Sequence, residues 1–494
     1  MYKDLIDAYQ KKDLPVIQLG KIIVDQNPIE NASVNLILKQ FNRHGLVAGA
    51  TGSGKTKTLQ VLAEQLSLAG VPSLVLDMKG DISALAMSGV LTDKIQERSK
   101  ILGLEYKPQN FPVELLSLSP NIKGVPVRAT IKGFGPLLFS RLLELNDIQS
   151  GVVTILFEYA NDNQLLLIDL NDFKSLLKFS QTDIGQQQIE KQYGKVSGAS
   201  ISTIMRKIIE LESQGCEHFF GEPALDVRDL LRSSQDKGVI SILRAMDMQD
   251  KPDLFSTFMV KLLSDLYRLL PECGDLDKPK LVLFIDEAHL IFNNANKNLL
   301  NLMDTIVKLI RSKGVGLVFC TQTPKDIPEN ILSQLGFKIQ HALRAFTAKD
   351  RQAMSLTAKN FPISEHYKTE ELLTALGIGE ALLTAIDERG APTPLVQCMI
   401  RTPESRMGVL TDEEEASVLS QSALSLKYHD RLERESAMEI LNQKVVADEK
   451  IKNVDPEGPS AIEVIAKNPI VKQVTRDVVR KLTQLVFSYI KGKK

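Results

Sequence analysis

The sequence is poor in the residues that build metal sites and disulfide frameworks. Its four cysteines, Cys216, Cys273, Cys320 and Cys398, lie far apart without a CxxC pair, and its six histidines are also scattered. Structural zinc sites need closely spaced ligands, and disulfide-stapled domains are dense in cysteine. We therefore expect neither, and we expect the reduced thiols of a cytosolic protein.

Long apolar runs are missing as well. No apolar stretch reaches the ~18 residues that a membrane-spanning helix needs. The first fifteen residues (MYKDLIDAYQKKDLP) are polar and lack the apolar core of a signal peptide. The sequence thus predicts a soluble, cytoplasmic protein with no integral membrane association.

Charge of one sign is not in excess. The chain has 60 lysine and arginine residues against 61 aspartate and glutamate residues, a formal net charge of -1. A nucleic-acid coat or membrane-surface protein usually carries a global basic field. Any contact with nucleic acid must therefore come from a local patch or from a pore that several subunits build.

The chain does contain a regular alternation of strand and helix signals. HGLVAG (44–49) is a brief apolar strand, 56–70 has apolar residues at helical spacing and stops at Gly70, and VPSLVLDM (71–78) is a second apolar strand. Continuously apolar strands separated by helices are typical of a parallel sheet in an α/β protein. Further strands are predicted at 14–24, 33–41, 238–245, 280–288, 315–322, 337–345 and 380–387.

A glycine-rich loop lies between the first of these strands and its helix. It has the GxxxxGK[ST] pattern of a phosphate-binding loop and reads Gly49, Ala50, Thr51, Gly52, Ser53, Gly54, Lys55 and Thr56. Glycines let backbone N–H groups wrap around phosphates, and the helix N-terminus adds partial positive charge. We predict that Lys55 reaches the β- and γ-phosphates of ATP and that the Thr56 hydroxyl binds Mg²⁺. Thr58 is also included in the predicted nucleotide site.

A second strand, LVLFIDE (281–287), ends in two acids. Ligands of open α/β sheets bind at the carboxyl ends of the strands, so this segment is interpreted as a Walker B strand. Asp286 is predicted to hold Mg²⁺ through water, and Glu287 to orient and deprotonate the attacking water. An acid directly after the Walker B aspartate favours an ATPase over a kinase. Alone the pattern is weak, because many buried strands end in solvated acids.

Polar residues end two more of the strands. Gln322 follows the strand after Walker B and is predicted to touch the γ-phosphate or its water; the alternative is a polar strand cap. Asp77 and Asp81 (DMKGD) lie beside the phosphate loop, where they either position metal or water or form a turn with a helix N-cap.

One arginine is a candidate for action between subunits. Arg311 lies on the helix that leads into the Gln322 strand, where it cannot easily reach its own nucleotide. We predict that it acts as an arginine finger on a neighbouring subunit's nucleotide. Arg344 and Arg351 are rival candidates, and an ordinary solvated surface charge is the alternative for each.

With these residues in view, the chain resembles the HerA/FtsK branch of P-loop ATPases, and most closely the bacterial YjgR-type proteins, which are standalone HerA-like ATPases. The resemblance begins at NRHGLVAGATGSGKTKTLQVLAEQLSLAGVPSLVLDMKGD (42–81) and covers nearly the whole chain. Further matching stretches are 135–153, 283–292 (LFIDEAHLIF), 308–350, 376–394 and 407–414.

The resemblance implies a RecA-like core that binds ATP and Mg²⁺ and assembles into a homohexameric ring, through which HerA and FtsK relatives move double-stranded DNA. It carries functions over to Lys55, Thr56, Asp286, Glu287 and Gln322, with Arg311 as the finger in trans. The segment before the phosphate loop is too short for the N-terminal β-barrel of HerA, and the net charge is near zero. Both favour an alternative, a nucleotide-dependent assembly or signalling ATPase that moves no DNA.

The predicted fold is therefore a mainly parallel α/β core with a helical insertion and a helical C-terminal tail. The predicted parts are 1–43 (short N-terminal strand cap), 44–132 (first part of the ATPase core), 133–236 (helical insertion), 237–403 (second part of the core) and 404–494 (helical C-terminal extension).

The end of the chain is predicted to be a basic amphipathic helix (467–494) after a linker (454–461). It packs on its own subunit, pairs with a neighbouring subunit, or lies on anionic lipid or DNA. We favour the pairing between subunits, because an isolated helix with an apolar stripe needs a partner.

Overall fold

The computed structural model of the chain describes residues 2–11, 13–274, 276–292 and 297–452. The predicted linker (454–461) and basic C-terminal helix (467–494) lie outside these ranges.

Within the described ranges, the architecture is built on one sheet of twelve strands. Its strands in chain order are β1 (Val16–Val24), β2 (Asn27–Ile37), β3 (Gly45–Ala48), β4 (Ser73–Asp77), β5 (Val113–Ser117), β6 (Val125–Pro126), β9 (Ile240–Arg244), β10 (Leu281–Ile285), β11 (Val315–Thr321), β12 (Phe337–Gln340), β13 (Glu380–Ala385) and β14 (Val396–Ile400). Two further strands, β7 (Ser233–Ser234) and β8 (Lys237–Gly238), form a separate hairpin.

The strand order across the sheet is β2-β1-β14-β13-β12-β3-β11-β10-β4-β9-β5-β6. The strands from β12 to β6 are parallel. The four strands from β2 to β13 continue the sheet in antiparallel pairing. The predicted mainly parallel sheet is confirmed, and the N-terminal strands join its antiparallel edge, since β1 pairs with β14.

Both faces of the central strand β10 are buried, which is why it is apolar throughout. In β10, Leu281, Leu283 and Ile285 belong to one hydrophobic cluster, whereas Val282 and Phe284 belong to another on the opposite face. Successive side chains of a strand point to opposite faces, so β10, which is covered on both sides, has no face toward solvent.

Helices cover both faces of this sheet. Those before β10 are α1 (Lys3–Tyr9), α2 (Lys55–Leu68), α3 (Asp93–Leu102), α4 (Ile131–Leu142), α5 (Asp147–Asp162), α6 (Leu170–Phe179), α7 (Asp183–Tyr193), α8 (Gly198–Ser213) and α9 (Pro252–Leu269). Those after β10 are α10 (His289–Phe292), α11 (Lys297–Ile310), α12 (Glu329–Leu332), α13 (Ala348–Lys359), α14 (Thr369–Ala375), α15 (Asp412–Ser420), α16 (Ser425–Tyr428) and α17 (Ala437–Lys452).

Five successive helices, α4 to α8, occupy most of the predicted helical insertion. Their shared core is aromatic: the ring of Phe139 contacts those of Phe157, Phe173 and Phe220. The segment after β14 packs back on the molecule, because α17 lies against α6 and Arg128 donates hydrogen bonds to the carbonyls of Tyr428 and His429. The five-part division of the chain stays a prediction.

Two of the predicted strands end four or more residues before their predicted C-termini. The strand predicted over 33–41 ends at Ile37, where the Gln40 side chain accepts a hydrogen bond from the Ile37 N–H and a 3-10 helix (Leu38–Arg43) begins. The strand predicted over 337–345 ends at Gln340. Within the described ranges, none of the helices is long and apolar enough to cross a membrane.

Candidate nucleotide-binding site

The glycine-rich loop connects β3 to α2, as predicted. Its glycines adopt positive φ angles, 154° at Gly49 and 113° at Gly54. A Cβ atom added at Gly49 would lie 2.5 Å from the Cβ of His341, and one at Gly54 would lie 3.0 Å from the backbone nitrogen of Gly379. The loop therefore needs glycine at both positions for reasons of backbone conformation and of space.

The segment that follows β12 packs against this loop and forms hydrogen bonds with it. The backbone N–H of Ala50 donates to the carbonyl of Ala342 (2.8 Å) and that of His341 to the carbonyl of Ala48 (2.7 Å). The His341 ring is fully buried, with Nδ1 2.9 Å from the carbonyl oxygen of Glu380 and Nε2 2.9 Å from the Thr58 hydroxyl. A carbonyl oxygen only accepts, so Nδ1 carries the proton and Nε2 accepts from Thr58.

Lys55 begins α2 with a buried side chain. Its ammonium donates to the carbonyl oxygens of Gly49 (2.5 Å) and Ala50 (3.1 Å). Burial lowers the pKa of Lys55, the positive charge of Lys79 lowers it further, and the acids Glu287 and Asp286 oppose this change. The lysine thus lies on the inner side of the loop and close to the Walker B acids.

The two threonines of this helix differ in environment. Thr56 lies in its first turn and is half-buried, where a hydroxyl fits an oxygen-preferring cation such as Mg²⁺. Thr58 is buried and its hydroxyl is engaged by His341. The predicted nucleotide-binding role of Thr58 stays a prediction.

The predicted Walker B acids lie at the same edge of the sheet. The phosphate-loop strand β3 and the Walker B strand β10 both pair with β11, which lies between them. Two strand spacings put their carboxyl ends about 10 Å apart. Asp286 follows β10 directly, and burial raises its pKa to about 6, with Lys79 opposing the rise and Glu287 adding to it.

Glu287 is held in an unusual backbone conformation. Its φ angle is 46°, in the left-handed region that costs a non-glycine residue free energy and is often found at functional sites. Its Oε1 lies 2.6 Å from the ammonium of Lys79. Its buried Oε2 lies 3.3 Å from Nδ1 of His289 in a geometry that makes no hydrogen bond. A buried carboxylate oxygen without a donor fits a group that accepts a proton from water.

The DMKGD segment follows β4, the strand next to β10. Asp77 Oδ1 accepts hydrogen bonds from the backbone N–H groups of Lys79 (3.2 Å) and Gly80 (2.7 Å), which forms the turn of the second interpretation. The 3-10 helix that follows (Ser83–Ala86) has Ile82 at its N-cap and no side-chain cap, so the N-cap of that interpretation is not formed. Sequence reasoning considered the acids of this segment and missed Lys79. Only the adjacency of β4 and β10 distinguishes this lysine from other surface lysines.

Gln322 and Arg311 lie at opposite ends of β11. Gln322 follows the strand directly and is exposed at the carboxyl edge, between the phosphate loop and Walker B. Arg311 is half-buried at the amino edge, near His44, whose lowered pKa of about 4 results from burial and in part from the charge of Arg311. Seven strand residues separate the two ends by about 23 Å. The rivals Arg344 and Arg351 are exposed beyond β12.

A cleft of about 400 Å³ opens beside Gly54. It lies between the start of α2, the helix α3 and the chain around Gly379 and β14. Arg98 fixes one wall, since its Nε donates to the carbonyl of Ile400 (2.9 Å) and its Nη2 to that of Gly379 (2.7 Å). Sequence reasoning missed this cleft because its walls come from segments far apart in the chain. Its apolar lining includes Ile95, Ile101, Ile378, Met399 and Met407.

Residues 23–490 match the protein family described as helicase HerA-like C-terminal. The chain belongs to this family. The predicted resemblance to HerA/FtsK-type P-loop ATPases is thereby confirmed, and the closer resemblance to the YjgR-type proteins stays a prediction.

The HerA-like chain is similar to two curated archaeal proteins, each named DNA double-strand break repair helicase HerA. It is 24% identical over 377 residues to the one from Saccharolobus solfataricus and 27% identical over 370 residues to the one from Sulfurisphaera tokodaii. Each match covers 74% of this chain and 66% of the relative's length.

Solved structures show the same fold. The plasmid coupling protein TrwB in complex with ADP and Mg²⁺ is 16% identical, with a TM-score of 0.51 over 81% of this chain and 92% of that chain. TrwB in complex with the non-hydrolysable ATP analogue ADPNP is 15% identical, with a TM-score of 0.52 over 82% and 98%. The RecA-like P-loop fold predicted for the HerA-like chain is therefore confirmed.

Proposed function

We propose that the chain is a Mg²⁺-dependent ATPase. The observation that carries this proposal is that Lys55 and the two acids Asp286 and Glu287 meet at one edge of the sheet, although more than two hundred residues separate them. In this proposal the loop N–H groups and Lys55 bind the phosphates, and Thr56 and Asp286 hold Mg²⁺. The Mg²⁺ ion supplies neutralisation of phosphate charge when bound.

The chemistry of hydrolysis falls to residues of the chain. Glu287 orients water through its buried carboxylate and accepts its proton. Gln322, exposed between the phosphate loop and Walker B, reports on the γ-phosphate or its water. The apolar cleft beside Gly54 receives the base and ribose, since it opens next to the loop and has apolar walls for a flat ring.

We further propose a homohexameric ring that translocates or remodels double-stranded DNA in the cytoplasm. The names of the curated relatives support DNA as the substrate. The position of Arg311 supports a shared site, because an arginine about 23 Å from the carboxyl edge of its own β11 cannot serve its own nucleotide. The net charge of -1 favours the alternative, a nucleotide-dependent assembly or signalling ATPase without DNA transport.

The test is the release of phosphate from ATP and Mg²⁺ with and without duplex DNA, alongside a mass measurement of the assembly. Wild-type protein should hydrolyse ATP, and Lys55→Ala should abolish nucleotide binding or turnover. Glu287→Gln should keep ATP bound and slow hydrolysis by ~100-fold or more, because it removes the base. Glu212→Gln is the matched control, since Glu212 also forms a 2.6 Å ion pair with a lysine, in the helical insertion.

Each outcome decides one part of the proposal. Wild-type rates in Glu287→Gln would contradict the assignment of the base. Stimulation by duplex DNA supports the translocase, and unchanged rates with DNA support the assembly or signalling alternative. A monomeric mass would contradict the ring.

A further inference from the structure

The lysine of the DMKGD turn has a place in the site that the proposed function does not use. Lys79 Nζ lies 2.6 Å from Oε1 of Glu287. The Lys79 side chain is 35% exposed, whereas that of Glu287 is 9% exposed. The lysine is therefore the solvent-exposed partner of this pair, and the proposed base is the buried one.

The backbone beneath Lys79 is fixed by other residues. The Asp77 carboxylate accepts the N–H groups of Lys79 and Gly80, and the Gln249 side chain donates to the carbonyl of Met78 (2.6 Å). Neither contact uses the Lys79 side chain. Replacing that side chain should thus leave the turn in place, which makes it a clean position for substitution.

The positive charge of Lys79 interacts both with the Walker B acids and with Lys55. Burial alone would lower the pKa of Lys79, but its hydrogen bond to Glu287 and the charges of Asp286 and Glu287 outweigh burial and raise it. The ammonium therefore stays charged at neutral pH. The same charge contributes to the lowered pKa of Lys55, so the two ammonium groups belong to one electrostatic neighbourhood.

The order of strands places these two lysines near different parts of a bound nucleotide. Lys55 begins the helix after β3, whereas Lys79 follows β4, and β11 and β10 lie between the two strands. A triphosphate bound on the loop runs toward the Walker B acids, so its terminal phosphate is the part nearest Glu287. An ammonium has three donors, and Glu287 Oε1 takes one of them.

We propose that Lys79 is a second phosphate-binding lysine, which contacts only the terminal phosphate of a nucleoside triphosphate while it holds the Glu287 carboxylate beside that phosphate. This inference rests on the proposed nucleotide site. Its consequence is selectivity: Lys55 reaches the β-phosphate that diphosphate and triphosphate share, as well as the γ-phosphate, whereas Lys79 adds affinity for the triphosphate alone.

The experiment measures the affinities of the full chain for a non-hydrolysable ATP analogue and for ADP, each with Mg²⁺, by titration calorimetry. Lys79→Gln should weaken binding of the analogue by about 10- to 100-fold, the range for one hydrogen bond to a charged group. Its affinity for ADP should stay within about twofold, which also reports that the site is folded. Lys79→Arg should regain most of the selectivity, because it keeps the charge.

The control is Lys174→Gln, because Lys174 forms an ion pair of the same 2.6 Å length with Glu212 away from the site. It should change neither affinity. An equal loss of ADP and analogue affinity in Lys79→Gln, or an unchanged ratio of the two, overturns the inference. If Lys55→Ala still removes all binding in that case, the nucleotide site stands and only the role of Lys79 is wrong. Wild-type protein that binds neither nucleotide overturns both.

Discussion

His341 supports the phosphate loop through its hydrogen bonds, and the contacts of the ring set how much unfolding free energy is lost when one of these bonds is removed. The fully buried ring joins two segments: it donates from Nδ1 to the carbonyl of Glu380 and accepts at Nε2 from the hydroxyl of Thr58. Burial lowers the pKa of His341 to about 4, so the ring is neutral at physiological pH. The bond to Thr58 therefore ties the first turns of α2 to the strand end beside the loop.

Two substitutions remove this bond from either side. Thr58→Val keeps the shape of the side chain and leaves one buried ring nitrogen without a donor, which costs about 2 kcal/mol of unfolding free energy. His341→Ala leaves the Thr58 hydroxyl and the Glu380 carbonyl unpaired and opens a cavity under the loop, so it should cost about 4–5 kcal/mol. The double variant no longer contains the unpaired hydroxyl, so its cost should fall short of the sum of the two single costs by about 1–2 kcal/mol.

The assay is urea unfolding of the four proteins of this cycle at pH 7.5. Thr56→Val serves as the control, because Thr56 is only half-buried two residues away, and its effect should stay within about 0.5 kcal/mol. Costs that add within about 0.5 kcal/mol would refute the reasoning, since independent sites behave in that way. The loop would then be supported by its backbone hydrogen bonds alone.

Two further predictions concern Arg311 and Glu64. Arg311→Ala should leave ATP affinity nearly intact and lower turnover by up to ~10³-fold. Mixing Arg311→Ala subunits with Glu287→Gln subunits should restore some activity at mixed interfaces. If the mixture is shown to be oligomeric and no activity returns, the shared site is contradicted. Burial raises the pKa of Glu64 to about 7 from an ordinary 4.5. Between these two pH values the folded state keeps a proton that the unfolded state loses. The free energy of unfolding should therefore fall by about 3 kcal/mol as the pH rises from 4.5 to 7. Glu64→Gln should flatten this part of the curve in thermal unfolding, and an unchanged slope would exclude Glu64 as its source.

Some parts of the site could be predicted because their chemistry is local in the sequence. The residues from Gly49 to Thr56 are consecutive, and their spacing alone specifies a loop between a strand and a helix. The acids Asp286 and Glu287 end an apolar strand, and the rule that ligands bind at carboxyl ends of parallel strands places them near that loop.

Other parts could not be predicted, because a local pattern does not state which strands are neighbours. The strand β14 (Val396–Ile400) was not predicted, and its pairing with β1 brings the N-terminal strands into the central sheet. The strand β5 (Val113–Ser117) was not predicted either, and it pairs with β9 in the parallel part of the sheet.

By itself, then, the sequence determined the phosphate loop, the Walker B acids and the mainly parallel α/β fold, since each depends on residues within one strand, turn or helix. Only the tertiary structure decided that His341 lies under the loop, that Arg98 closes a cleft beside it and that Lys79 meets Glu287. The physical reason is the same in all three cases. Their partners are distant in sequence, and only the packing of strands, helices and loops in three dimensions brings each pair within hydrogen-bonding distance.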